Sequence, residues 1–185
     1  MKTRILSILF ALTFAGVASA QMPKDSEVPP GNLPSADVDF ILTANTNNIA
    51  QIAMGHAAES QGANPGISSL ANHVVASHNK AQQALALLAS QKHVSLPART
   101  DADDHGEVAD LHSRKPGGEF DSQYVRNVVA DSDRMIAFYE AARNESVDAD
   151  IRRYADIMLP ALHENRDLAQ AMINKQLGNE TNARR

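Results

Sequence analysis

The stretch that decides the fold is residues 64–93, "NPGISSLANHVVASHNKAQQALALLASQKH". It opens with Asn64 and Pro65, an N-cap residue followed by proline at the first helical position, where the missing N–H costs nothing. Apolar residues then recur every three or four positions along one face, which a single histidine interrupts: Ile67, Leu70, Val74, His78, Ala81, Leu85 and Leu88. This spacing predicts one long amphipathic helix that packs against other helices.

The same spacing predicts three more long helices, at about 37–61, 119–144 and 148–177. Short connections join the first predicted helix to the second and the third to the fourth, so each of these two pairs is expected to be an antiparallel hairpin. The middle connection, residues 93–117, can run the length of a helix, because about 25 extended residues reach roughly 80 Å and a helix of about 28 residues measures roughly 42 Å. The predicted fold is an all-α, ferritin-like four-helix bundle over residues 37–177, with two antiparallel hairpins joined by a long crossover and a tail at 178–185.

The first 20 residues are expected to be a secretory signal peptide. Lys2 and Arg4 precede an apolar run, and Ala18-Ser19-Ala20 forms a small-residue cleavage pattern. The run is too short to span a membrane, and no later stretch is long and apolar enough for a transmembrane anchor. Cleavage near Ala20 would leave a periplasmic or secreted chain that begins with a flexible, proline-rich arm, residues 21–36.

The composition excludes several classes of function. The chain has 17 Lys and Arg against 22 Asp and Glu, a formal charge of −5 that becomes −7 without the two signal-peptide cations. Such an acidic chain is not expected to bind nucleic acid, because that affinity comes largely from neutralised phosphates. The absence of cysteine excludes disulfides, iron–sulfur clusters and c-type haem attachment. The sequence also shows no nucleophile–base pair and no glycine-rich phosphate loop, so a non-enzymatic role is favoured.

Polar residues interrupt the inner faces of the predicted helices at comparable depth. These interruptions are His78 on the second helix, Ser132 on the third, Asn165 on the fourth, and one of Asn48, Gln51 and Glu59 on the first. One interpretation is a buried polar cluster whose members satisfy one another or a water. The other is a divalent metal, iron, copper or zinc, with His78 as the principal ligand. The Glu-x-x-His spacing of ferritin-like di-metal proteins is absent, which favours the polar cluster and no cofactor.

Other candidate ligands carry weaker patterns. His73 and His78 are about 140° apart around the helix and cannot share a metal there, so His73 is expected at the rim or in solvent. The segment "DADDHGE", residues 101–107, begins like a calcium-binding loop but has histidine at its twelfth position, and a solvated acidic loop is favoured. Three methionines at helical spacing are interpreted as core filling rather than as copper or haem ligands: Met135, Met158 and Met172.

Four segments together resemble the domain of unknown function 4142 family, exported bacterial proteins classed as ferritin-like: "ADVDFILTAN", "IAMGHAAESQGANPGISSLANHVVASHNKA", "FDSQYVRNVVADSDRMIAFYE" and "YADIMLPALHENRDLAQ". The resemblance covers about residues 39–171. It implies histidines at the positions of His78, Ser132 and Asn165, an acidic residue at Ser77, and a glutamate at Gln51 or Ala53. Of these only His78 matches, so the resemblance implies that this member has lost the metal-binding form of the cluster.

The sequence therefore predicts an exported helical-bundle protein with a non-enzymatic binding, stress-related or envelope role. Its partner is expected to be an envelope protein or a small ligand. A further hypothesis is a partner-binding module that uses the proline-rich arm or the acidic crossover. The alternative is a metal-binding or metal-oxidising ferritin-like protein that uses His78.

Overall fold

The computed structural model describes residues 33–98 and 106–183, with side chains through Lys175. These residues form five helices and no strand: α1 Ser35–Gln61, α2 Pro65–Gln91, α3 Glu107–Ser113, α4 Gly118–Glu145 and α5 Ala149–Ala183. The predicted all-α class is confirmed over this part of the chain. The predicted signal peptide, residues 21–32 of the proline-rich arm and the first five residues of the acidic loop lie outside the described residues.

Local sequence explains where the helices begin. The Asn64 side chain accepts a hydrogen bond from the backbone N–H of Gly66 at 2.8 Å, as the N-cap pattern predicted. Asp148 caps α5, because its Oδ1 accepts from the backbone N–H groups of Asp150 and Ile151 at 2.9 and 3.1 Å. However, α5 continues to Ala183 and does not end at Gly178, where a tail was predicted. A single glycine costs a helix only about 1 kcal/mol, and no proline follows to stop it.

Contacts between helices establish their directions. Phe40 packs on Tyr139 and Asn47 bonds Asp131, so α1 and α4 are antiparallel. In the same way, bonds from Tyr154 to Ala81 and from Asn165 to Ser77 make α2 and α5 antiparallel.

Bonds between α1 and α2, from His78 to Asn48 and from Gln82 to Asn45, make that pair an antiparallel hairpin. It follows that α2 and α4 are parallel. The chain that joins them must therefore connect opposite ends of the helices, as the length of residues 93–117 predicted.

The apolar core is divided into two clusters, one toward each end of the long helices. The first cluster contains the aromatic rings of Phe40, Tyr139 and Tyr154 together with aliphatic residues such as Leu85 and Ile151. The second cluster contains, among others, Met54, Ile67, Leu70, Val74, Val108, Leu111, Phe120, Tyr124 and Val128. The short helix α3 contributes Val108 and Leu111 to it, which ties the end of the crossover to the core.

One glycine sets how closely α1 and α2 approach each other. A Cβ atom placed on Gly55 would lie 2.4 Å from Cγ2 of Val75, a distance that real Cβ atoms do not show. The pair therefore packs closely next to the middle of the bundle. None of the helices in the described ranges is both long and apolar enough to cross a membrane.

Candidate functional site: a buried polar layer

A layer of polar side chains separates the two apolar clusters. In every long helix these residues occur between the stretch that enters the first cluster and the stretch that enters the second. We call this set the polar layer; it contains Asn45, Asn47, Asn48 and Gln51 of α1, Ser77, His78 and Gln82 of α2, Asp131 and Ser132 of α4, and Asn165 of α5. Buried polar groups are costly unless they are hydrogen-bonded, so each member has to be accounted for.

Four side chains of the layer form a directed chain of hydrogen bonds. His78 Nδ1 lies 2.9 Å from Asn48 Oδ1, and Asn48 Nδ2 donates to Gln82 Oε1 at 3.2 Å. Gln82 Nε2 then donates to Asn45 Oδ1 at 2.7 Å, and Asn45 Nδ2 donates to the backbone carbonyl of Pro97 at 3.0 Å. A carbonyl can only accept, so the amide orientations follow one after another from Pro97 back to His78.

This direction determines the tautomer of His78. Asn48 presents its oxygen to the ring, so His78 must carry its proton on Nδ1 and leave Nε2 as a lone pair. The side chain is 5% exposed. Burial lowers the pKa of His78 to about 4, although the charge of Asp131 opposes this shift. The imidazole is therefore neutral near pH 7.

Two further pairs complete the layer across α2–α5 and α1–α4. Asn165 Nδ2 donates to Ser77 Oγ at 3.0 Å, and the Ser77 hydroxyl donates to the carbonyl of Val74 at 2.9 Å. Asn47 Nδ2 donates to both carboxylate oxygens of Asp131 at 2.8 and 2.9 Å. Arg134 pairs with the same carboxylate from the surface.

The structure brings together only some of the residues that the sequence singled out. His78 and Asn165 both belong to the layer, but they bond Asn48 and Ser77 and not each other. Ser132 is buried, yet within the described part of the chain it makes no hydrogen bond.

Glu59 and His73 lie outside this network. Of the three alternatives on α1, Glu59 pairs with His56 at 2.9 Å, whereas Asn48 is the one that bonds His78. Glu59 lies eleven residues beyond Asn48, roughly 16 Å along α1. His73 is half-buried at the rim of α2, with Nε2 3.6 Å from Glu164 of α5.

Asn45, Asn47, Gln82 and Asp131 were not singled out by the sequence argument. The asparagines of the α1 segment "ANTNNIAQ", residues 44–51, were the available signal, because polar residues there fall on nearly every side of the helix. Asp131 directly precedes Ser132. Both are buried because α4 contacts α1 on one side and α5 on another.

The polar layer does not fit the dinuclear metal site of ferritin-like proteins. Such a site uses several carboxylates and two histidines that project into the bundle. Here the donors around His78 are carboxamides, and transition metals prefer imidazole, thiolate or carboxylate. Throughout the described residues, no three His, Cys, Asp or Glu side chains form a group that could hold a metal ion.

Two pockets are lined by histidines that the sequence singled out, one by His78 and the other by His73. A small pocket of about 10 Å³, close to the space of one water molecule, is lined by His78, Asn165, Tyr139 and Met158 among others. A larger one of about 800 Å³ lies between α2, α4 and α5 and reaches His73 and Asp121. Asp121 already accepts hydrogen bonds from the backbone N–H groups of Ala63 and Asn64, at 3.1 Å each.

Fold and site together define a class: over the described residues, an all-helical protein of two antiparallel hairpins with a largely hydrogen-bonded polar layer between its two apolar clusters. The chain matches the family model "Domain of unknown function (DUF4142)" over residues 22–172 and belongs to that family. The resemblance recognised in the sequence is thereby confirmed.

Among solved structures, the chain is similar to the crystal structure of a DUF305 fragment from Deinococcus radiodurans, with a TM-score of 0.67 and 12% identity. That match covers 80% of this chain and 99% of the other. At this identity the likeness concerns the fold alone. No curated protein matches the chain.

Proposed function

We propose that this protein is an exported, ferritin-like helical-bundle protein that acts by binding, in an envelope or stress-related role, and does not catalyse a reaction. The observation that carries the proposal is the hydrogen-bond chain from His78 to Pro97, which engages the central polar groups with one another. The order hairpin, long crossover, hairpin supports the ferritin-like assignment. In a ferritin-like bundle, the polar layer would take the place in the bundle core where di-metal members of that fold hold their metal ions.

The chemistry of the layer supports a structural role for its centre. Carboxamides neither gain nor lose protons near neutral pH, and a general base works best when its pKa lies near the operating pH. With its pKa lowered to about 4 by burial, His78 is a weak base. The layer specifies the packing of α1 on α2, and through Pro97 it fastens the start of the crossover.

Export is supported by the two cations, the apolar run and the small-residue pattern that ends at Ala20. The test is to express the whole chain in a Gram-negative host, fractionate the cells and sequence the N-terminus of the product. The expected result is a periplasmic protein that begins at Gln21. An uncleaved chain that remains in the cytoplasm would contradict this part of the proposal.

A second candidate function, binding of a single transition-metal ion, is favoured by one observation. His78 Nε2 carries the ring's lone pair, and among the described residues His78 bonds only to Asn48. The ring lines the small pocket together with the thioether residue Met158. A neutral imidazole beside a thioether could bind a soft metal ion.

Metal titration separates the two candidates. Untagged protein is titrated with Zn²⁺, Cu²⁺, Cu⁺ and Fe²⁺, and bound metal is measured by elemental analysis after dialysis. The binding proposal expects substoichiometric metal that is the same in His78→Gln and in the control His163→Gln. One metal per chain that is lost only in His78→Gln would overturn it in favour of the second candidate.

A further inference from the structure

A pocket of about 580 Å³ lies between α1, α3 and α4, and none of the four side chains of the hydrogen-bond chain lines it. Its volume is in the range of pockets that bind small organic molecules. Apolar side chains from all three helices form most of its wall: Leu42, Ala50, Met54, Val108, Met135 and Phe138. We call it the Gln51 pocket after the residue that distinguishes it.

Gln51 contributes a buried carboxamide to the wall of this pocket. The residue is 2% exposed, lines the pocket, and makes no hydrogen bond to any described residue. Among the described residues, the side-chain atoms that are fully buried and unbonded belong to Asp37, His73 and Tyr124. The unbonded amide atoms of Gln51 are not among them, and we infer that they are open to the pocket that Gln51 lines. A buried carboxamide normally has at least one partner, since an unmade hydrogen bond is expensive. Its one oxygen and two N–H donors are therefore available to a molecule in the pocket.

The charged groups of the pocket largely cancel. The Asp131 carboxylate is already bound by Asn47 at 2.8 and 2.9 Å and paired with Arg134. Glu107 adds one exposed negative charge at the mouth. An anion would meet this carboxylate and would leave the Gln51 oxygen unpaired, because an anion only accepts. An ammonium ion would leave the Gln51 N–H groups unpaired, because it only donates.

We infer that the Gln51 pocket binds an uncharged small molecule with an apolar body and a carboxamide-type head group. A carboxamide is the group that can donate to the Gln51 oxygen and accept from its N–H at the same time, in a paired, planar geometry. The apolar body lies against the walls from α1, α3 and α4. The inference rests on the proposed binding role, for which it names the ligand class.

Three probes with one body and different heads test this inference: 4-butylbenzamide, 4-butylbenzoate and 4-butylbenzylamine. Binding is followed by NMR on ¹⁵N-labelled protein purified from cells that express the whole chain. The side-chain NH₂ signals of Gln51 are assigned by their loss in Gln51→Leu. The amide is expected to bind about fivefold or more tightly than either charged probe, as one or two net hydrogen bonds allow, and to shift the Gln51 signals.

Variants of the same residue separate recognition from folding. In Gln51→Leu the amide should lose its advantage over the other probes to within about twofold, while apolar contact is kept. In Gln51→Glu the preference should move to the amine. The matched control Gln83→Leu, an exposed position on α2, should bind as the native protein does.

The inference is overturned if the three probes bind native protein equally or not at all, or if Gln51→Leu keeps the preference. It is also overturned if the NMR signals that shift on addition of 4-butylbenzamide belong mainly to residues of the pocket between α2, α4 and α5. Should Gln51→Leu not fold, the Gln51→Glu preference and the main-chain shifts of the native protein still decide the matter. Failure here would leave the proposed function standing, because that is tested at His78 and at the N-terminus.

Discussion

Asn48 and Gln51 lie one helical turn apart on α1, both are carboxamides, and both are buried. Asn48 faces α2 and has both ends engaged, with its oxygen on His78 and its nitrogen on Gln82. Gln51 faces the groove toward α4 and has no partner among the described residues. The same functional group is thus fully used at one position of α1 and unused one turn further along the helix.

This difference distinguishes the residues of the polar layer that stabilise the fold from the one that is proposed to bind a ligand. A satisfied buried network specifies one packing arrangement and is costly to interrupt. An unsatisfied group beside a pocket lowers stability, and its presence there points to a bound molecule. Substitutions of Asn48 and of Gln51 must therefore change stability in opposite directions.

The largest effect is expected from Asn48→Ala. The substitution leaves the His78 Nδ1–H and the Gln82 oxygen without partners, and each buried unpaired group costs about 1–3 kcal/mol. The free energy of unfolding, measured with urea, should fall by about 3 kcal/mol. Asn72→Ala is the matched control, since that exposed side chain bonds only the carbonyl of Ser68 and its loss should change stability by less than about 0.5 kcal/mol.

The second effect is a pH dependence that belongs to His78. In the unfolded chain the ring takes up a proton below its ordinary pKa of 6.5, whereas burial lowers the pKa of the folded protein's His78 to about 4. The unfolded state therefore binds more protons between these values, and stability is lost as the pH falls from 6.5 toward 4. The loss should approach about 3 kcal/mol, at about 1.4 kcal/mol per pH unit.

Urea denaturation at pH 7.5, 6, 5 and 4.5 measures this loss, with His78→Gln as the comparison. The glutamine can still donate to Asn48 but cannot be protonated, and every other titratable group is common to the two proteins. Parallel curves for the two proteins would contradict a buried, neutral His78.

A smaller and more local effect is expected from Asn45→Ala. The substitution removes the donor to the Pro97 carbonyl and the acceptor for Gln82. The free energy of unfolding should fall by about 2 kcal/mol. Because Pro97 belongs to the crossover, native-state hydrogen exchange at the nearby amide of Val94, which donates to Ala89, should become faster. Asn48→Ala leaves the Pro97 contact in place and should not accelerate Val94 beyond the global change. Equal acceleration in both variants would mean that Asn45 does not fasten the crossover separately.

Helix geometry made much of this architecture predictable from the sequence. His78 follows Val74 and precedes Ala81 and Leu85 on one stripe, so its burial could be inferred without a structure. The parallel arrangement of α2 and α4 followed from the length of residues 93–117. The helical repeat determines that His78 is buried, and the length of the connection determines that α4 can run parallel to α2.

The partners could not be predicted, because they depend on how α1 is rotated about its axis. Small and polar residues are spread around α1, so Asn48, Gln51 and Glu59 were equal candidates for the position that faces His78. The hydrogen bond from Asn45 to the Pro97 carbonyl could not be predicted either. A crossover has no periodic pattern from which the position of one carbonyl group could be inferred. The unpaired state of Gln51 is a property of the groove between α1 and α4 and has no signature in the sequence.

The smallest effect, and the one of opposite sign, is expected from Gln51→Leu. Leucine has nearly the volume of glutamine and needs no partner, so without ligand the variant should be about 1 kcal/mol more stable in urea. Tyr124→Phe is the matched control, because it removes a hydroxyl that is also buried and unbonded but is sealed away from the pocket. Both variants should gain stability, whereas only Gln51→Leu should lose the extra stabilisation that 4-butylbenzamide gives the native protein. A loss of stability in Gln51→Leu would mean that the Gln51 side chain stabilises the fold just as Asn48 does, and the contrast between these two carboxamides would not hold.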